Sequence, residues 1–184
     1  KCSLLFASSV YEEKKVYRLY EVSSFNYEKE LNGLKKTYGS CLKIVDKLVS
    51  KKHRFLDIGC GNGFLLEKAM EIGWEEVLGV ELSKDAINKT KSFIKKKIYN
   101  GPFESDNYKE KFFDIIFFAM VIEHFSDVNK FLSKVYRILN PGGYIIVITH
   151  DEQHFLSKIF KDKHPIINDE HLCVFSKTTL AKIL

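Results

Sequence analysis

Apolar positions recur along this chain in two rhythms, one of helical spacing and one of short unbroken runs. Leu42, Ile44, Val45, Leu48 and Val49 fall at intervals that predict a helical face. The run Phe55-Leu56-Asp57-Ile58 predicts a short buried strand. Leu65, Leu66, Ala69 and Met70 then mark a helix ended by Gly73, a residue suited to the position just past a helix. "EEVLGVEL" is a second strand. Ser83 caps a second helix, with Asp85 in the first turn where the dipole favours an acid. Its inner face is Ala86, Ile87, Thr90, Phe93 and Ile94, and its outer face carries Lys84, Lys89, Lys91, Lys95 and Lys96. "YNGPFES" is a short third strand. "FFDIIFFAMVI" is apolar nearly throughout, the mark of a strand covered on both faces. Val128, Phe131, Leu132, Val135, Ile138 and Leu139 form the most regular helical stripe, stopped by Asn140-Pro141-Gly142, and "GYIIVITH" is a fifth strand.

Strands and helices therefore alternate, which predicts an α/β fold with a doubly wound, mostly parallel, Rossmann-like sheet. Ligands of such sheets bind beyond the C-terminal ends of the strands. The turn from Asp57 to Gly63, Glu81, and the segment from Met120 to His124 all lie at such ends, so three separate regions converge on one cleft.

Gly59, Gly61 and Gly63 crowd one turn, a costly choice unless the backbone must bend sharply or be approached closely there. A nicotinamide or flavin dinucleotide fingerprint reads G-x-G-x-x-G. Gly59 and Gly61 fit it, but Phe64 occupies the third glycine's place, so an NAD(P)-binding oxidoreductase stands as an alternative. A phosphate-binding P-loop is excluded, because no G-x-x-x-x-G-K-[ST] run occurs.

Composition narrows the classes. A chain of 184 residues suffices for one domain with a sizeable core. The net charge of +5 is mild, and the lysines on the second helix read as a solvated face rather than a nucleic-acid surface. Cys2, Cys41, Cys60 and Cys173 have no metal-ligand spacing, which points to a reducing, cytoplasmic setting. The longest apolar run, Ile115 to Ile122, is far short of the roughly 20 residues of a membrane span. The opening "KCSLLFASSV" reads as the start of a fragment, not as a signal peptide.

"LDIGCGNGFLL", "GVELSKDAI", "FDIIFFAMVIEHF" and "RILNPGGYIIV", in this order and at this spacing, resemble the successive motifs of class I S-adenosylmethionine-dependent methyltransferases. The resemblance covers about Leu42 to the end. "NDEHLCVFSKTTLAKIL" further resembles a subgroup near the small-molecule O-methyltransferases of quinone biosynthesis. The resemblance implies S-adenosyl-L-methionine as cofactor and transfer of its methyl group to an oxygen or nitrogen of a small-molecule acceptor. It implies that Asp57, Gly59, Cys60 and Gly61 enclose the amino-acid part and the sugar, and that Glu81 accepts from the ribose hydroxyls. Leu82 and Phe103, with Pro102 and Glu104 beside the latter, would line the adenine pocket, and Met120 would complete the cofactor site. A binding module that keeps the fold without turnover is a further alternative.

Methyl transfer is an in-line displacement that depends on holding the acceptor close, with a base needed where the acceptor is a hydroxyl. Glu123 and His124, just past the fourth strand, are the first candidates; His150, with Asp151, past the fifth strand, is the second. Some relatives carry E-x-x-E-H here and hold a divalent cation with it. This chain has Met120 in place of the first acid, so no metal is assigned, with Glu123, His124 and His171 the residues that could hold one. Residues 1–40, rich in tyrosine (Tyr11, Tyr17, Tyr20, Tyr27), form an N-terminal segment expected to be a helix on the sheet or a lid, and residues 41–184 the cofactor-binding domain. The family's sheet usually closes with an antiparallel hairpin; this chain reaches Leu184 before it, so the hairpin is expected to be absent.

Overall fold

The computed structural model describes residues 4–6, 17–19, 21, 31–49, 51–153 and 171–184. Strand β1 (Leu5–Phe6) precedes helix α1 (Leu31–Asp46). There follow β2 (Arg54–Ile58), α2 (Phe64–Glu71), β3 (Glu76–Glu81), α3 (Lys84–Asn88), α4 (Ser92–Lys95) and β4 (Ile98–Asn100). The chain continues through β5 (Phe113–Ala119), α5 (Val128–Ile138), β6 (Leu139–Ile148), β7 (Cys173–Val174) and α6 (Lys177–Ile183). Strands β2 to β6 form one parallel sheet in the order β4-β3-β2-β5-β6. The chain winds outward from β2 through β3 to β4, then crosses to β5 and β6. The reversal puts a crevice at the C-terminal ends of β2 and β5, where ligands of this architecture bind. Among the described residues no antiparallel strand joins β6.

Strand periodicity divides the core. Phe55, Ile115, Phe117 and Ile146 point to one face, where Leu42 of α1, Leu65, Leu66 and Ala69 of α2, and Ile94 of α4 cover them. Leu56, Ile58, Ile116 and Phe118 point to the other, against Phe131, Leu132, Val135 and Ile138 of α5. Both faces of β5 are thus covered, which is why its sequence is apolar almost without a break.

Several local expectations change. Helix α1 begins at Leu31 and runs through residue 40 without a break, so the helix crosses the boundary between the N-terminal segment and the rest. Its inner stripe is Tyr38, Cys41, Leu42 and Val45, whereas Ile44 faces outward at 65% exposure; Leu48 and Val49 lie past its end, Leu48 exposed and Val49 packed on the core. The single helix expected after β3 is two short ones. The first ends at Asn88, Thr90 Oγ1 turns back to the Ala86 carbonyl at 3.2 Å, and Phe93 is exposed rather than buried.

The helix before β6 stops one residue early, because Leu139 is already extended and pairs with Phe113. Pro141, Gly142 and Gly143 lie inside β6, in an irregularity between the pairs Phe113–Leu139 and Ile115–Tyr144. Asp114 steadies this bulge: its Oδ1 accepts from Asn140 Nδ2 at 2.7 Å and its Oδ2 from the Arg54 N–H at 2.9 Å.

A second, antiparallel pair joins β1 to β7, Leu5 opposite Val174 and Phe6 opposite Cys173. The chain around β7 docks on a 3-10 turn, Ile122–His124, through the Leu172 N–H, which donates to the Glu123 carbonyl at 2.8 Å. The Glu152 N–H donates to the Phe175 carbonyl at 2.9 Å. No helix among the described residues is long and apolar enough to cross a membrane.

Candidate functional site

A cavity of about 460 Å³ opens at the switch point of the sheet, within the range of about 300–1,000 Å³ usual for small-molecule sites. Asp57, Gly59, Cys60 and Gly61 form one wall; Glu81, Leu82 and Phe103 form a second; Met120 and His124 come from the end of β5. The cofactor-site residues expected from the sequence therefore meet in one place. Glu123 and His150 do not line the cavity. Glu123 is buried behind it, and the His150 ring lies 5.3 Å from His171, which does line it. Glu104, expected beside the adenine, instead reaches Lys134 on α5 at 2.6 Å.

The glycine turn is held from two sides. The N–H groups of Gly59 and Cys60 both donate to the Val80 carbonyl, at 2.8 and 3.1 Å, so the loop is pinned to β3. Gly59, Gly61 and Gly63 have φ of 74°, 54° and 73°, the left-handed region in which a side chain is strained. At Gly59 a Cβ would lie 2.5 Å from Val121 Cγ2, and at Gly63 2.6 Å from Ile94 Cγ2. These two glycines make room for the protein's own side chains, and Gly59 also lines the cavity.

Glu81 ties the site together. Its Oε2 accepts from the Gly61 N–H and its Oε1 from the Ser83 N–H, both at 2.7 Å. Each oxygen keeps a further lone pair for a ligand hydroxyl. Burial raises the Glu81 carboxyl against the pull of those bonds. Burial also pushes Asp57 well above the usual range, and the neighbouring Glu81 charge adds to the rise. Two acids held this way favour a positively charged ligand, which would restore their ionised forms. Burial likewise pushes up the Cys60 thiol, so Cys60 is a wall residue and not a nucleophile.

Part of the cavity lining is aromatic. Tyr38 stacks on Phe64, with ring centroids 5.8 Å apart, and leans on Phe117 at 5.5 Å. Burial, helped by the charges of Asp57 and Glu123, pushes the Tyr38 hydroxyl up to about 12, so it stays protonated. Tyr17 also lines the cavity, while Tyr11, Tyr20 and Tyr27 lie outside the described residues. Tyr38 is a site residue that a motif reading passes over. Tyr38 sits in the helical spacing of α1, and that register is the signal that finds it.

His124 and His171, which both line the cavity, have ring centroids 5.1 Å apart. Met120 holds a φ of 56°, uncommon for a residue with a side chain, and its N–H donates to the Ile148 carbonyl at 2.7 Å. Burial pushes the Glu123 carboxyl up to about 7. The Thr149 hydroxyl and the N–H groups of Val121 and Glu123 temper this rise without reaching bonding geometry. One carboxylate and two imidazoles do not fit the acid-rich cage of a hard cation.

Sheet order, crevice and glycine turn together define a Rossmann-like nucleotide-binding domain of the class I methyltransferase type. Residues 34–184 match the family model described as a methyltransferase domain, and the chain belongs to that family. Its expected cofactor is S-adenosylmethionine, which decides against the nicotinamide alternative left open by the glycine spacing. A ubiquinone biosynthesis O-methyltransferase of Bradyrhizobium is 35% identical over 100 residues, covering 52% of this chain and 39% of that protein. The match thus spans about two-fifths of the relative's length. A methyltransferase structure from Archaeoglobus fulgidus shares the fold with a TM-score of 0.66 at 22% identity, over 85% of this chain and 70% of that one. The YcgJ protein of Bacillus does so at 0.60 and 22%, over 80% and 66%.

Proposed function

We propose that this chain transfers the methyl group of S-adenosylmethionine to an oxygen or nitrogen of a small-molecule acceptor. One observation carries the reading: a single cavity brings together an acidic, glycine-walled group, Asp57, Gly61 and Glu81, and an aromatic group, Tyr38, Phe64 and Phe117, with His124. The first group suits a cationic nucleoside. Glu81 would take the ribose hydroxyls, Leu82 and Phe103 the adenine, and Asp57 the charge of the amino-acid part. The second group suits an acceptor. Its lone pair attacks the methyl carbon as the carbon–sulfur bond breaks, and the bonding pair leaves with sulfur as S-adenosylhomocysteine.

Where the acceptor is a hydroxyl, its proton passes to an imidazole. His124 opens on the cavity, with Glu123 and His150 acting from behind it. The names of the O-methyltransferase relatives favour oxygen. Residues 1–40 would supply part of the acceptor wall through Tyr17, Leu34 and Tyr38, in the manner of a lid. Cys41, Cys60 and Cys173 are free thiols, in keeping with work in a reducing cytoplasm.

Calorimetry tests the cofactor group. Glu81→Ala is expected to weaken S-adenosylmethionine binding by about 1.5–3 kcal/mol, the range for hydrogen bonds to a charged group. Turnover on a panel of small phenols, alcohols and amines, read as S-adenosylhomocysteine, tests the other. His124→Ala should lower kcat by about 10²–10⁴ with cofactor affinity unchanged. Unaltered affinity in the first variant, or unaltered kcat in the second, removes that residue's role.

A further inference from the structure

The chain carries 29 lysines and arginines, yet none is among the described residues that line the cavity. Acids hold that place instead. Asp57 and Glu81 line the cavity, and Glu123 is buried in the turn that puts Met120, Val121 and His124 on its wall. Glu123 is only 2% exposed, and neither oxygen of its carboxylate has a hydrogen-bond partner. No donor spreads its charge, and a buried acid in that condition calls for positive charge nearby. The charge is felt inside the cavity. The Tyr38 hydroxyl, on the cavity wall, is pushed up first by burial and then by the charges of Asp57 and Glu123. Acids from two elements, the end of β2 and the turn after β5, thus act on one point of the wall.

S-adenosylmethionine brings a sulfonium and an ammonium against a single carboxylate, and Asp57 and Glu81 suffice to meet its net positive charge. Glu123 is left over, beside His124. We propose that the acceptor carries a basic amine and no carboxylate or phosphate group, and that the buried Glu123 selects for it. The proposal rests on the methyl-transfer reading, because it takes the same cavity. The amine is what the site recognises; methylation falls on it or on a hydroxyl of the same molecule. Where it falls on the nitrogen, the bound ammonium first passes one proton to His124. The freed lone pair forms the carbon–nitrogen bond as the carbon–sulfur bond breaks, and the bonding pair stays on sulfur. The positive charge of the sulfonium thereby moves to the acceptor nitrogen, and a fixed negative charge in the turn beside it favours that movement. An anionic acceptor meets the opposite: Glu123 repels it unless the acid is first protonated. One unit charge acting over roughly 10 Å at an effective dielectric of about 20 shifts binding by about tenfold.

The test reads binding, not turnover. Full chain saturated with S-adenosylhomocysteine is titrated by calorimetry with two series of probes matched in shape and differing in charge. One is tyramine, tyrosol and hydroxyphenylacetate; the other is tryptamine, tryptophol and indoleacetate. Their rings suit the wall of Tyr38, Phe64 and Phe117. In each series the amine should bind tightest and the carboxylate weakest, with about tenfold or more between them. Glu123→Gln keeps the shape of the side chain, removes its charge and should narrow that gap about threefold or more. Leu34→Lys adds a cation to the described wall and should narrow the gap or reverse it. Affinity for S-adenosylhomocysteine close to wild type reports that each variant is folded; if Glu123→Gln loses it, Leu34→Lys is read alone. Three results overturn the proposal: a carboxylate that binds as tightly as its amine, amines that do not bind at millimolar concentration, or a gap that no folded variant changes. Failure of the wild type to bind S-adenosylmethionine overturns the methyl-transfer reading instead, and it is seen before any probe is added.

Discussion

Gly59 has a left-handed φ of 74°, and its missing side chain leaves the space that Val121 fills. Two separable costs follow for any replacement. The conformation alone costs a residue with a Cβ about 1–2 kcal/mol. The contact with Val121 Cγ2 at 2.5 Å adds to it, because Val121 sits at the rim of a packed cluster and cannot simply swing away. Gly59→Ala is therefore expected to lower unfolding stability by about 2 kcal/mol or more, measured by denaturant titration. Adding Val121→Ala should return the steric part and leave the conformational part, so the double variant falls between the single variant and wild type. An alanine variant as stable as wild type would show that the turn relaxes freely. At Gly61, by contrast, the backbone N–H is committed to Glu81 and joins the turn to the tip of β3. Both glycines line the cavity, but Gly59 is also required by packing against Val121 while Gly61 ties the turn to Glu81, and their spacing alone does not tell them apart.

Elements were legible in the sequence where one periodicity held over their whole length. β5 reads as a strand because both its faces are covered, and α5 because Val128, Phe131, Leu132, Val135 and Ile138 all face the core. Glu81 and the glycine turn were legible for a related reason: strand ends in a wound parallel sheet must meet. His171 was legible only as a possible metal ligand; that its ring meets His124, 47 positions earlier (171 − 124), was not, because it leads into a two-residue strand with no pattern of its own. The β6 bulge was half legible, since Asn140-Pro141-Gly142 announces an interruption but not that the strand has already begun. Its anchor is Asp114, which accepts from Asn140 Nδ2 and from the Arg54 N–H. Asn140→Ala removes one of these bonds and should cost about 1 kcal/mol, seen as a drop in Tm of a few degrees. Asn140→Asp sets a second carboxylate beside Asp114 and should cost more. Equal Tm for all three proteins would mean that Gly142 and Gly143 hold the bulge unaided.

The molecule as a whole places three acids, Asp57, Glu81 and Glu123, around one cavity, and burial raises all three. A carboxyl whose folded pKa lies above its unfolded value favours the folded state when protonated. Its contribution is complete below the unfolded value and is lost as pH rises through the folded one. For Glu123 that window runs from the ordinary carboxylate range up to about 7. Metal-free, cofactor-free protein should therefore lose stability between mildly acid and neutral pH. S-adenosylmethionine acts in the opposite sense, because its sulfonium and ammonium charges favour the ionised forms of Asp57 and Glu81. The rise in Tm on adding a saturating amount of it should then be larger at about pH 8 than at about pH 5.5. S-adenosylhomocysteine, lacking the sulfonium charge, should show a weaker version of the same trend, and Glu81→Gln should flatten it for both. Thermal scans of the chelated protein with each ligand at the two pH values measure this directly. A ligand-induced rise in Tm that does not change with pH, or that is larger in acid, would mean that the acids of the glycine-walled group do not meet the cofactor's positive charge.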